Sequence, residues 1–74
     1  MNKGMNVVIK SLERHPLSDY EDVRNLFKNK VVGVVRSSHQ CSFTKMHSVF
    51  VDFTDPSSSE VLTLGFFPEE LSQL

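Results

Sequence analysis

The stretch from Met46 to Leu71 constrains this chain most, because two of its apolar runs alternate with the two-residue period of a strand. In MHSVFVDFT, His47, Val49, Val51 and Phe53 share one face, and Ser48, Phe50, Asp52 and Thr54 share the other. In EVLTLGFFPEEL, Leu62, Leu64 and Phe66 fall opposite Val61, Thr63 and Phe67. Between the runs, TDPSSS has the composition of a turn, so the pair reads as a β-hairpin with a medium-length loop. A lone hairpin is marginal in water. Its apolar face therefore needs a cover, which the earlier segments must supply.

Residues 1–74 make a single small domain. A chain of this length buries only about 60% of the surface its unfolded form exposes. The expected stability is correspondingly small, roughly 4–11 kcal/mol. Its 39% hydrophobic and 23% charged content is that of a globular rather than a disordered chain. No apolar run approaches the ~20 residues that span a bilayer, and Asn2, Lys3 and Gly4 do not open a signal peptide. One cysteine, Cys41, forms no internal disulfide and fits a reducing compartment. The expectation is a soluble, cytoplasmic protein without membrane contact.

Upstream, Met5–Ser11 is a short strand with Val7 and Ile9 on one face, and Leu12–Leu17 is a connecting loop broken at Pro16. Ser18–Lys28 carries the helical signal. Ser18 and Glu21 have the spacing of a capping box, and Tyr20, Val23 and Phe27 recur on one face with Leu26 beside them. Acids open the segment, lysines close it, and Asn29 suits a left-handed cap. Lys30–Arg36 is a β-branched strand in which Gly33 marks a bulge or a close backbone approach. Ser37–Lys45 reads as a polar loop. Phe67–Leu71 reads as one helical turn opened by Pro68, with Leu71 folding back on the core and Leu74 a further candidate. The expected fold is mainly β (α+β): a small barrel, or a four-stranded antiparallel sheet with one short helix.

The segments Val31-Val32-Gly33-Val34-Val35, Val49-Phe50-Val51-Asp52-Phe53 and Leu64-Gly65-Phe66-Phe67-Pro68-Glu69-Glu70-Leu71 resemble the strands and closing turn of small SH3-like barrels. The resemblance covers about the last 45 residues and implies a barrel that binds peptides, proteins or nucleic acid without catalysis. It does not imply grip on proline-rich peptides, which relies on Tyr and Trp clusters; this chain has one Tyr and no Trp.

Three surfaces compete for function. If the hairpin's inner face fills the core, Phe50, Val61 and Phe67 point outward together with Val35, an apolar set that calls for the helix, a protein partner or a second copy as cover. Arg24, Lys28, Lys30, Arg36 and Lys45 form an acid-free run that, with Phe43, could bind nucleic acid as an SH3- or KOW-like module. Asp52, Asp55, Glu60, Glu69 and Glu70 follow without a base, and cross-strand pairing of the two sets is the ordinary outcome. His39, Cys41 and His47, with His15, are zinc-ligand types but lack zinc-site spacing. A Cys41–His nucleophile lacks a cleft, and Glu69-Glu70 reads as helix-end charge. The expectation is a non-catalytic, phage-type accessory or regulatory module acting through protein–protein contacts. No cofactor, metal or small-molecule substrate is expected.

Overall fold

A computed structural model describes residues 1–54 and 59–74. The order is β1 (Asn6–Ile9), α1 (Glu21–Lys28), β2 (Gly33–Gln40), β3 (His47–Thr54), β4 (Val61–Phe66), a 3₁₀ turn (Pro68–Glu70) and β5 (Leu71–Gln73). All five strands join one antiparallel sheet in the order β4-β3-β2-β1-β5. The mainly β expectation is met, with one strand more than the four expected. Of the turn expected over Thr54–Ser59, residues 55–58 lie outside the described residues.

The sheet does not close into a barrel: β4 and β5 are its two edges. Closure would require those edges to pair. β5 offers only three residues, and a different segment lies along β4. The His15 imidazole Nε2 is 2.7 Å from the Gly65 carbonyl, and its ring stacks on Phe66 with centroids 4.8 Å apart. Because Nδ1 accepts the Leu17 N–H at 3.1 Å, Nε2 is the nitrogen that carries the proton and donates. Residues 12–17 thus fold over the inner face of the sheet. His15, offered by the sequence only as a remote metal ligand, is a buried structural residue.

The core lies between that inner face, this segment and α1. Val49, Val51 and Phe53 are buried as the alternation predicts, with Val7, Ile9, Leu12, Val23, Leu64, Phe66 and Leu71. Phe53 and Phe66 meet edge to face at 6.1 Å. Leu62 departs from the pattern: at the start of the edge strand, with a neighbour only on the β3 side, it stays 41% exposed. Leu74 is exposed as well.

Val35, expected outward, is 1% exposed. Val31–Val35 is apolar on both phases, so alternation alone does not set its direction. Gly33 sets it. A Cβ at Gly33 would fall 2.7 Å from Phe53 Cε1 and closer still to Val51 Cγ1, so the position facing the core must lack a side chain, and Val35 shares its phase. Gly33 is therefore a close approach; the bulge falls at Arg36, between the pairs Val35↔Val51 and Ser37↔Phe50. Beyond it β2 continues to Gln40, opposite His47. The loop expected over Ser37–Lys45 shrinks to 41–46, because pairing with β3 overrides the weak strand propensity of Ser, His and Gln.

The helix begins three residues later than its expected start, at Glu21, with Tyr20 as N-cap and no side-chain cap. Ser18 is tied into the preceding turns, its N–H donating to the His15 carbonyl at 3.1 Å, so the capping box does not form. Tyr20 and Phe27 remain exposed while Val23 is buried. At the other end Asn29 has φ −89°, and the left-handed residue is Lys30, φ 51°. The bonds Lys30 N–H to Phe27 O (3.2 Å) and Val31 N–H to Leu26 O (3.0 Å) form a Schellman closure with lysine where glycine is usual. A side chain in that conformation costs roughly 1–2 kcal/mol.

The 3₁₀ turn forms where expected. Glu70 Oε1 accepts the Phe67 N–H at 2.9 Å, and the Glu70 carbonyl accepts N–H groups from Lys10 (2.7 Å) and Ser11 (3.3 Å). Glu70 is thereby buried and stitches the C-terminal turn to the end of β1.

Candidate protein-binding surface

The register of β2, β3 and β4 builds the outward face row by row. Val34 faces out beside Asp52, Ser37 pairs with Phe50, and Phe50 pairs in turn with Gly65. The Phe50 ring lies across Gly65, so that a Cβ there would be 3.1 Å from Phe50 Cε1, and it meets the His39 ring edge-on at 6.0 Å. Even so Phe50 is 38% exposed. Phe67, one residue past β4 and still extended (φ −81°, ψ 150°), continues the outward phase of Gly65 and is also exposed.

Val61 points outward but stands apart. Between it and Phe50 runs a polar band in which Thr63 Oγ1 donates to Asp52 Oδ1 at 2.5 Å and Arg36 reaches the same carboxylate at 3.6 Å. Arg36 is thus paired across the strands, in an exposed contact that adds little to stability. Of the four apolar residues expected together, the structure brings Phe50 and Phe67 into one area, places Val61 at the far end and takes Val35 into the core.

The surface extends to the tip of the β2–β3 hairpin, within the Arg36–Lys45 segment that the sequence offers as a polar loop and a variable contact. Cys41 N–H donates to Met46 O at 2.9 Å, Lys45 N–H to Cys41 O at 2.7 Å, and Met46 N–H to Thr44 Oγ1 at 3.3 Å. Lys45 takes the left-handed conformation, φ 57°. This closed tip presents Phe43, 96% exposed, and Met46 beside it. Hydrogen bonds from Thr44, led by its hydroxyl, and then from the Phe43 backbone hold the exposed Cys41 thiol below its usual pKa.

The remaining candidates are scattered. His39 lies outward against Phe50, whereas His47 lies on the opposite phase, hydrogen-bonded to Ser38. Among the described residues no three His, Cys, Asp or Glu side chains converge as metal ligands would. The basic set also divides: Arg24, Lys28 and Lys30 gather near the end of α1, while Phe43 and Lys45 occupy the hairpin tip. No helix is long and apolar enough to cross a membrane among the described residues. Set against protein-family models, curated proteins and solved structures, the chain matches none.

Proposed function

We propose that the chain is a non-catalytic binding module that grips a protein partner with the hairpin tip and the adjoining outward face. The observation that carries this reading is Phe43, held in water on a tip whose backbone is tied by its own hydrogen bonds. Burying such a side chain is favourable by roughly 1.5–3 kcal/mol, which a receptive pocket on another protein would recover. Met46, Phe50 and Phe67 are further exposed apolar side chains, with His39 against Phe50 and Lys45 at the tip, an arrangement of aromatic anchors with polar groups among them. The strand order, with a 3₁₀ turn leading into β5, supports a relation to small SH3-like folds left open along one side. An accessory or regulatory role in a larger cytoplasmic assembly fits such a contact surface.

The test is retention of a protein by the immobilised wild type and its loss on Phe43→Ala and on Phe50→Asp, with unchanged circular dichroism. Sedimentation of the same three proteins separates a foreign partner from a second copy. Equal retention and equal sedimentation of all three would remove the reading.

A further inference from the structure

The part of the molecule that this reading leaves unused is the margin where β1 ends and α1 closes. Two open grooves adjoin there. One, of about 530 Å³, is lined by Val8, Ile9, Lys10, Phe27, Lys28 and Lys30; the other, of about 460 Å³, continues past Phe27 and Lys28 to Arg24 and Asn25. Phe27 stands between them, 39% exposed. The first groove has three lysines and no acid in its lining, and none of the three forms an ion pair with a described residue. The second contains one acid, Glu21.

Lysines at a helix C-terminus have an ordinary purpose, since they offset the negative end of its dipole. That accounts for Lys28. It does not account for Lys10, which follows the end of β1 and belongs to no helix, nor for Lys30, which occupies a left-handed position where glycine would make the chain more stable. A strained residue whose side chain lines a basic groove is better explained by what the groove holds.

The geometry points to a single-stranded nucleic acid lying along these two grooves, with phosphates on Lys10, Lys28, Lys30 and Arg24 and a base stacked on Phe27. Arg24 and Lys28, four residues apart, share a helix face about 6 Å along the axis, so the cations form a track suited to a chain of phosphates rather than to one. A planar ring between cations is the device by which such strands are held without sequence readout. The track uses Arg24, Lys28 and Lys30 of the acid-free run, adds Lys10 and Phe27, and excludes Arg36 and the hairpin tip. It therefore stands or falls separately from the protein-binding face.

Fluorescence anisotropy of a labelled oligothymidylate with the full chain tests this at low salt. The expected result is binding with a log–log salt slope near −3, from about four phosphate contacts. Phe27→Ala should weaken it about tenfold. Lys30→Gly is the decisive variant: it should raise Tm by about 4–8 °C while lowering affinity and the slope by about 0.7. Lys45→Ala, on the protein-binding tip, should leave the affinity for oligothymidylate unchanged. The inference is overturned by absence of salt-sensitive binding, by wild-type affinity in Lys30→Gly, or by equal competition from a mononucleotide or a duplex.

Discussion

Gly33 and Gly65 occupy opposite faces of one sheet, and the difference between them separates what the fold needs from what it leaves free. A methyl group at Gly33 would collide with Val51 and Phe53, two of the most buried side chains in the molecule. At Gly65 it would meet only the flank of Phe50, whose ring can rotate toward solvent. The inner face is filled to the limit of its backbone separation. The outer face is covered by one movable aromatic. Selection for stability acts on the first, and room for a contact surface remains on the second.

The widest contrast to expect is between Phe53 and Phe50, three residues apart on β3. Phe53→Ala should cost about 3–5 kcal/mol, a large part of the stability of a chain this small, whereas Phe50→Ala should cost about 1 kcal/mol or less. Chemical denaturation of both measures it, and similar losses would break the distinction between the faces. Next in size, Gly33→Ala should destabilise by about 1–3 kcal/mol through overpacking, and Gly65→Ala by well under about 1 kcal/mol. His15→Ala should cost about 2 kcal/mol, from the bond to Gly65, the stacking on Phe66 and the stranded Leu17 N–H. It sharpens the comparison by asking whether the inner cover depends on that one ring. The smallest effect belongs to the hairpin tip and leaves stability alone. Cys41 should alkylate with a pH midpoint below that of a free thiol, because its lowered pKa leaves more thiolate at any given pH, and Thr44→Val should move that midpoint up. An unchanged midpoint would show that the tip hydrogen bonds do not act on the sulfur.

Much of the inner face was legible in the chain itself. Val49, Val51 and Phe53 alternate cleanly, and Leu64 and Phe66 answer them across the pair. Val35 was not legible: its neighbours are apolar on both phases, and only the depth available at Gly33 decides which side turns inward. The extension of β2 through Ser37–Gln40 was hidden for a related reason, since those residues are held in a strand by their partner and not by their own preference. Leu62 carries the right period but lies where the sheet ends. His15 and Glu70 gave no local signal, because each is explained by a bond to a segment distant in sequence or by a turn that must form first. Of the surface, Phe50 and Phe67 could be read from alternation. Phe43 could be read as a loop contact residue, but the closure of the tip that holds it out could not, since a loop sequence does not state which way its backbone is tied.

The pairing of β5 with β1 joins residues 71–73 to residues 7–9. Such a contact must wait until residues 71–73 have left the ribosome, and a separation of more than sixty residues gives it a large loop-closure cost. Loss of β5 or of β1 should therefore remove the same pairing and leave the β2–β3–β4 meander in place. A fusion partner attached at Leu74 would emerge beside Asn6, whose carbonyl accepts the Leu74 N–H at 3.0 Å. A reporter at Asn6 and one after Leu74 would thus lie side by side, which makes their proximity a direct gauge of whether the domain has finished folding.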